Sequence, residues 1–294
     1  MQKNAAALTP ATLVALAALA TPLGSSARAG ELVYGVTENQ TLISFDSNAP
    51  TTILSGVAIW GMAANEQVRG LDFRPATNEL YALGSFSMLY KINAMTGMAM
   101  QVGSGTFAHT LNGSSFGFDF NPVIDRIRVV SEADQNLVLH PDTAASTNAT
   151  ALFYGMGDMN EGMNPNIVGS AYTNSKKGAT STQLYGIDTN LDILVKQANS
   201  AGTLTTVGSL GVNLNDQVGF DISGLSGIAY ASVQDATLGQ STFWTINLNT
   251  GAATMIGAIG GGSQVGAITV VPAPGALAAL AGAGVLALRR RRAS

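Results

Sequence analysis

The sequence contains no cysteine and only two histidines in its 294 residues. Without cysteine the protein has no disulfide bonds, no thiolate metal ligands and no thiol nucleophile, so its core alone must hold the fold. A zinc site takes three or four ligands, and His109 and His140 have no evident carboxylate partners in the sequence. We therefore expect no cofactor, no zinc site and no catalytic triad.

Charged residues are also scarce, at 11% of the chain, and six of the 14 basic residues lie near its two ends. These six are Lys3, Arg28, Arg289, Arg290, Arg291 and Arg292. The body between the ends keeps eight basic residues against all 18 acidic ones, a net charge of −10. Nucleic acids and anionic lipids bind cationic patches, so the composition argues against both as partners.

The N-terminal residues have the pattern of a secretory signal peptide. Lys3 precedes a predominantly apolar stretch at residues 11–20, and Ala27-Arg28-Ala29 supplies the small-x-small cleavage pattern. We expect cleavage between Ala29 and Gly30, so that the protein is exported across the inner membrane. The alternative is a short membrane anchor that stays on the chain.

The C-terminal residues form a second targeting segment. Val271, Pro272, Ala273 and Pro274 lead into the apolar run Gly275 to Leu288, and Arg289, Arg290, Arg291 and Arg292 follow. This order resembles the PEP-CTERM sorting signal of exported Gram-negative proteins, although Ala273 replaces the usual glutamate. The resemblance implies transient anchoring by a transmembrane helix, processing by an exosortase-type enzyme, and a cell-surface or extracellular location. The alternative is an ordinary tail anchor.

A short motif repeats through the body. Gly70-Leu71-Asp72-Phe73 returns as Gly117-Phe118-Asp119-Phe120 and as Gly219-Phe220-Asp221-Ile222. A second apolar segment follows each copy and places Tyr34, Tyr81, Ile127, Tyr185 and Tyr230 in one column, at intervals of 47, 46, 58 and 45 residues. Four-stranded units of about 40–50 residues are typical of propeller blades. The repeat predicts an all-β, five-bladed propeller over residues 30–270, with an insertion around Tyr154 to Asn166.

The ends of the repeat predict how the ring closes. Blade 1 lacks a first strand at the N-terminus, and Gly266-Ala267-Ile268-Thr269-Val270 supplies a candidate at the C-terminus. Pairing this segment with Leu32-Val33-Tyr34 removes the free edges of the ring. The alternative treats residues 257–266, which are rich in glycine, as a flexible linker.

The body also resembles an uncharacterised family of exported bacterial proteins, a domain of unknown function. The resemblance rests on Gly70 to Thr77, Leu80 to Gly84, Phe118 to Pro122 and Asp125 to Ser131. It covers nearly all of the body and implies no activity.

The repeated residues Asp72, Asp119 and Asp221 are the candidate channel residues. A functional interpretation is an acidic ring that holds a cation or a sugar. The structural interpretation, in which each carboxylate bonds the backbone of a neighbouring blade, is favoured because a device repeated in every blade is usually structural. Arg74, Arg126 and Arg128 are candidate partners for these aspartates.

Three further features are candidate sites. The loop Gly157 to Asn166 offers Asp158, Asn160 and Asn164 as calcium ligands, but its spacing departs from a calcium loop. Trp60 is either a sugar-stacking platform or a packing residue. Met156, Met159 and Met163 indicate an exposed loop.

These observations favour a non-enzymatic binding or scaffold protein of the cell surface or extracellular matrix. The PEP-CTERM resemblance implies a setting of exopolysaccharide, which makes carbohydrate or a matrix protein the expected partner. The alternative is an extracellular carbohydrate-active hydrolase or lyase that uses channel carboxylates, and fold alone does not establish such an activity.

Overall fold

The computed structural model describes residues 29–234 and 240–272, which form an all-β ring of five sheets. Blade 1 consists of β21 (Val265–Val270), β1 (Leu32–Thr37), β2 (Thr41–Asp46) and β3 (Ala49–Ala58), in that order. Blade 2 consists of β4 (Val68–Phe73), β5 (Leu80–Gly84), β6 (Met88–Ile92) and β7 (Ala99–Val102). Blade 3 consists of β8 (Phe116–Asn121), β9 (Arg126–Ser131), β10 (Asn136–Leu139) and β11 (Ser146–Asn148).

The last two blades complete the ring. Blade 4 consists of β13 (Ile167–Tyr172), β14 (Leu184–Asp188), β15 (Ile193–Gln197) and β16 (Thr203–Ser209), with a 3₁₀ turn at Asn199–Ala201. Blade 5 consists of β17 (Val218–Ile222), β18 (Ala229–Gln234), β19 (Ser241–Ile246) and β20 (Ala253–Ala258). The predicted five-bladed propeller with four strands per blade is confirmed, and the tyrosine column lies on the second strand of every blade but the third, where Ile127 takes its place.

Blade 4 carries one additional strand on its outer edge. The short β12 (Phe153–Tyr154) pairs parallel to β16, with Phe153 opposite Thr203. It lies at the start of the segment that the sequence identifies as an insertion. The additional strand covers part of an edge that would otherwise expose unpaired backbone groups.

The core lies between neighbouring blades. The innermost strands are buried along their whole length or nearly so, because each is packed between two other sheets. Between blades 2 and 3, for example, Tyr81 and Phe120 pack edge to face with ring centroids 5.1 Å apart. Four further apolar clusters fill the other inter-blade spaces. This arrangement makes the fold a set of layers stacked around an axis.

Polar turns end the third strands. The Oδ1 atom of Asn93 accepts hydrogen bonds from the amides of Met95 and Thr96, and Gly97 follows with φ of +73°. Blade 3 has His140 at the corresponding position, where its Nδ1 atom accepts from the amide of Asp142. The histidine therefore accepts the same kind of turn hydrogen bond that an asparagine side chain accepts in blade 2.

The C-terminal strand closes the ring. β21 pairs antiparallel with β1, with Val33 opposite Val270, which confirms the predicted closure. The glycines after β20 form the turn between blade 5 and β21, so the flexible-linker alternative is wrong. The carboxylate of Glu31 reinforces the same seam, because it accepts hydrogen bonds from the hydroxyls of Ser223, Ser226 and Tyr230.

Glycines on the innermost strands allow the blades to approach closely. A Cβ on Gly70 would lie 2.3 Å from the Cβ of Phe118, and one on Gly117 would lie 2.6 Å from the backbone nitrogen of Ser170. Gly169 and Gly219 face the following blade in the same way. The glycine of the repeated motif is therefore a packing requirement of the ring.

Candidate functional site

The three repeated aspartates meet near the axis of the propeller. Asp72, Asp119 and Asp221 lie towards the C-terminal ends of the innermost strands β4, β8 and β17. Each has an oxygen within 4.8 Å of an oxygen of the other two, and their exposed fractions are 1–3%. The structure thus brings together all three residues that the sequence selects as channel candidates.

Each carboxylate bonds the backbone of the following blade. Asp72 Oδ2 accepts from the amide of Phe120 at 2.8 Å, Asp119 Oδ1 from that of Tyr172 at 3.2 Å, and Asp221 Oδ2 from that of Val270 at 2.6 Å. In each case the residue whose amide donates is the one that follows the aspartate-equivalent position in its own strand. These bonds join blade 2 to 3, blade 3 to 4 and blade 5 to 1.

Two blades have other residues at the aspartate position. Thr269 of β21 donates its hydroxyl hydrogen to Asp72 Oδ1 at 3.0 Å, which joins blade 1 to blade 2. Blade 4 has Ala171 there, opposite Tyr185 of β14, so no carboxylate reaches blade 5 from this position. Side chains at this one position of the innermost strands thus join neighbouring blades at four of the five junctions.

The cluster disfavours ionisation. Burial, and then the charges of Asp72 and Asp221, raise the pKa of Asp119 well above its usual range. Burial and then the charge of Asp221 do the same for the pKa of Asp72. Burial raises the pKa of Asp221 to about 6, against the hydrogen bonds from Val270 and Ile222, which lower it. All three carboxyl groups therefore hold their protons more tightly than isolated aspartates do.

The cluster is poorly suited to metal binding or hydrolysis. Five of its six carboxylate oxygens already accept hydrogen bonds from backbone amides or from Thr269. A glycosidase requires two carboxylates about 5–10 Å apart in an open cleft, and these three are closer together and almost completely buried. Their geometry is that of a structural ring.

The opposite end of the axis is open. The innermost strands begin around a funnel of about 360 Å³ and run from it towards the aspartate ring. The funnel is lined by Val36, Thr37, Glu38, Asn39, Gln40, Gln67, Val68, Arg69, Ser114, Ser115, Phe116, Asp216, Gln217, Val218, Gly266 and Ala267. Below it, glycines and apolar residues of the same strands form a narrow neck. Most of the funnel wall is polar, and sequence reasoning did not identify it.

Two of the funnel side chains are fixed by hydrogen bonds. Gln40 Oε1 accepts from the amide of Val68 at 2.7 Å, and the NH₂ group of the same side chain is a hydrogen-bond donor. Asp216 Oδ1 accepts from Asn166 Nδ2 at 2.8 Å and from the hydroxyl of Thr189. The funnel thus presents both donors and acceptors on a rigid rim.

The predicted pairing of arginines with the ring aspartates is wrong. Arg74 bonds Asp125 and Asp142 of blade 3, at 2.9 and 2.7 Å, and so clamps blade 2 to blade 3. Arg128 donates to Asn136 at 2.6 Å and to Ser200 at 3.2 Å. Its guanidinium reaches blade 4, while the carboxylate of Asp119 opposite it turns to the amide of Tyr172.

The third arginine remains local. Arg126 Nη1 donates to the carbonyl oxygen of Asp125, its chain neighbour. Asp125 lies in the hairpin between β8 and β9, with φ of +52°.

In the loop at residues 157–166, hydrogen bonds within the protein occupy both carboxylate oxygens of Asp158. Asp158 Oδ1 accepts from the hydroxyl of Thr206, and Oδ2 accepts from the amide of Thr206, both at 2.7 Å. Asn164 donates to the carbonyl of Pro165. Asp158 therefore fastens the loop to β16. Met156, Met159 and Met163 are exposed on the loop, as expected.

His109 and Trp60 lie outside the funnel. His109 bonds Ser146, and Trp60 donates its indole N–H to the carbonyl of Thr96. The sequence does contain one Gly-x-Ser-x-Gly segment, residues 113–117, centred on Ser115. This segment leads into strand β8 and not into a helix, and the amide of Ser115 bonds Glu132. It lacks the strand–turn–helix geometry of a nucleophile elbow.

Most of the predicted targeting residues fall outside the described part of the chain. Ala29, Gly30, Val271 and Pro272 are described, whereas residues 1–28 and 273–294, including Ala273, Pro274 and the four arginines, are not. Within residues 29–234 and 240–272, no helix is long and apolar enough to cross a membrane.

Comparison with known proteins places the propeller in a family. A family model described as a domain of unknown function, DUF4394, matches residues 41–269. Among curated proteins none matches the chain. A chain in the crystal structure of a nidogen/laminin complex is similar with a TM-score of 0.50 and 12% identity, over 82% of this chain and 98% of that one. At that identity the similarity concerns the fold alone.

Proposed function

The chain belongs to the DUF4394 family of domains of unknown function, and we propose that it is an exported, non-enzymatic binding and scaffold protein whose ligand enters the funnel. The observation that carries the proposal is the contrast between the two ends of the axis. One end is an open polar cavity of about 360 Å³, and the other is closed by the aspartate ring. Its volume falls within the range of about 300–1,000 Å³ that small-ligand sites occupy.

The composition of the funnel supports a polyhydroxylated ligand. Side-chain amides of Asn39, Gln40, Gln67 and Gln217 surround the opening, together with Ser114. Such groups both donate and accept hydrogen bonds, as sugar hydroxyls require. We therefore propose carbohydrate as the ligand class, with a matrix protein as the second candidate partner.

Export and sorting form the second part of the proposal. The signal peptide ending at Ala29 and the Val271-Pro272-Ala273-Pro274 tail support export, transient anchoring by the apolar helix and processing by an exosortase-type enzyme. These steps deliver the propeller to the cell surface or the extracellular space. Peptide mass mapping of the secreted protein tests both cleavages, since an N-terminus at Gly30 and loss of the arginine tail are expected.

A glycan array probed with the purified protein tests the binding function. Gln67→Trp places a large side chain in the funnel, whereas Gln101→Trp on the exposed β7 strand of the same blade is the matched control. We expect binding to the array by the wild type and by Gln101→Trp, and loss of binding by Gln67→Trp. An array without any signal, or turnover of a polysaccharide by the protein, contradicts the proposal.

A further inference from the structure

Arg69 breaks the symmetry of the innermost ring. It directly precedes the glycine of the repeated motif in blade 2, where the other blades have Phe116, Val168, Val218 and Gly266. Structural devices repeat from blade to blade, as the aspartates do, whereas a ligand contact needs only one copy. An arginine where the related residues are apolar or glycine is therefore a candidate for function.

Arg69 lies in a β-bulge. The pairing of β4 with β5 shifts between Val68 and Gly70, so Arg69 is the additional residue, as Val168 is in the pairing of β13 with β14. Bulges redirect a side chain and are enriched beside binding sites. Gly266 of the adjacent blade 1 strand also lines the funnel and has no side chain to fill the space.

Arg69 is a half-buried cation without a partner in the described residues. Across residues 29–234 and 240–272 it forms no ion pair, and its guanidinium donates no hydrogen bond to the protein. The buried Arg74 and Arg128, in contrast, are each bonded to several residues. A guanidinium carries five N–H donors, which here remain available at the neck of the funnel.

The other charges of the funnel restrict which anion fits. Glu38 lies exposed at the rim, and Asp216 is held by Asn166 and Thr189. Both repel incoming negative charge, so a singly charged carboxylate is accommodated more readily than a phosphate monoester with up to two charges. The guanidinium matches a carboxylate by two parallel hydrogen bonds.

We propose that Arg69 anchors a carboxylate of the ligand, so that the funnel selects acidic sugars, the uronic acids, over neutral ones. The inference rests on the proposed carbohydrate-binding function and adds its chemical class. The hydroxyls of the same sugar unit meet the amides of Gln40 and Gln217, which line the funnel with Arg69. Arg69 thus determines specificity, and the amides provide binding common to many sugars.

The test measures binding by calorimetry at one fixed salt concentration. The probes are oligomers of galacturonic, guluronic, mannuronic and glucuronic acid, the same oligomers with each carboxyl reduced to an alcohol, and sulfated neutral oligomers. Variants Arg69→Gln and Arg69→Lys are compared with Arg126→Gln, a matched control whose guanidinium bonds only its neighbour's carbonyl. Thermal unfolding of each variant confirms that it is folded.

We expect at least one uronic acid oligomer to bind more tightly than its reduced form. Arg69→Gln should weaken that binding about tenfold or more, because it removes charge-assisted hydrogen bonds. Arg69→Lys should recover part of the loss, since it restores the charge without the planar fork. Binding of the reduced oligomers should be the same in all proteins, and Arg126→Gln should match the wild type.

Two results would overturn the inference while the proposed function stands. One is equal binding of acidic and reduced oligomers that Arg69→Gln leaves unchanged. The other is tighter, Arg69-dependent binding of the sulfated oligomers, which would replace the carboxylate with a sulfate. Absence of binding to every acidic and neutral oligomer would instead contradict the proposed function itself, and the inference with it.

Discussion

Asp221 and Val270 lie on adjacent blades, and the carboxylate of the first accepts the backbone hydrogen of the second at 2.6 Å. Val270 is the last residue of the strand that closes the ring. A buried carboxylate of blade 5 therefore holds the closing strand on one side, while pairing with β1 holds it on the other. The same residue type at the equivalent positions of blades 2 and 3 makes similar bonds, so closure uses the device that joins the other blades.

The aspartate ring predicts an unusual dependence of stability on pH. Because these pKa values are raised in the folded state above the unfolded value of about 3.9, folding binds protons. Their contribution to stability is complete below about pH 4 and decreases as the pH rises, through about pH 6 for Asp221.

Asp119→Asn should stabilise the protein at neutral pH. The variant keeps an oxygen for the amide of Tyr172 and removes one of three crowded acidic groups. We expect the free energy of unfolding to rise by about 1–2 kcal/mol at pH 7 and the gain to disappear below pH 4. Urea denaturation followed by tryptophan fluorescence measures it, with the exposed Glu38→Gln as control. A variant less stable than the wild type at pH 7 would refute this account.

Gly117→Ala should destabilise the ring by steric overlap. The new Cβ would lie 2.6 Å from the backbone nitrogen of Ser170, which cannot move without shifting blade 4. Overpacking of this kind costs about 1–3 kcal/mol. Gly56→Ala is the control, because its Cβ lies 3.8 Å from the nearest side chains on an outer strand. The midpoints of urea denaturation of the two variants should differ clearly, and equal midpoints would show that the blades have room to separate.

Arg74→Gln should weaken the contact between blades 2 and 3. The guanidinium is buried and bonds two carboxylates, and its hydrogen bond is the main reason that the pKa of Asp142 lies below its usual value. We expect a loss of about 2 kcal/mol at pH 7 in chemical denaturation. The loss should shrink below pH 4, since a carboxyl with a lowered pKa contributes stability only while it is ionised. Arg126→Gln should change stability by less than about 0.5 kcal/mol. A loss independent of pH would argue for packing and against charge.

Glu31→Ala should loosen the seam between the N-terminal strand and blade 5. Three hydroxyls, those of Ser223, Ser226 and Tyr230, lose their common acceptor. Loss of this shared acceptor should cost about 2–3 kcal/mol in chemical denaturation. Hydrogen exchange should show faster exchange of amides in β1 and β18, while Glu38→Ala, on the exposed rim, leaves both rates unchanged. Faster exchange spread evenly over all blades would speak against a local seam.

The architecture was predictable because propeller blades repeat in sequence. The spacing of Tyr34, Tyr81, Ile127, Tyr185 and Tyr230 gave the number of blades, and the missing first strand of blade 1 indicated closure by residues 266–270. The innermost strand of blade 4 was harder to see, since Ala171 replaces the aspartate that marks the others. The repeated motif therefore identifies only those innermost strands that keep its aspartate.

The contacts between blades were less accessible from the sequence. Arg74 and Asp142 are separated by 68 residues, and no local pattern links them. The funnel could not be predicted from the sequence either, because its polar residues come from strand beginnings and loops of several blades that are far apart in the chain. Arg69 alone carried a signal, an arginine at a position that is otherwise apolar or glycine, and this becomes visible only after the blades are aligned.

The direction of β21 determines on which side of the ring the described chain ends. This strand starts at the funnel and ends beside the aspartate ring, where the amide of Val271 bonds the carbonyl of Leu32 at 2.9 Å. The described chain therefore both begins, at Ala29, and ends, at Pro272, on the side closed by the aspartate ring. A tag or support coupled through either of these ends would be separated from the funnel by the full length of the innermost strands, and the funnel would stay accessible to a ligand.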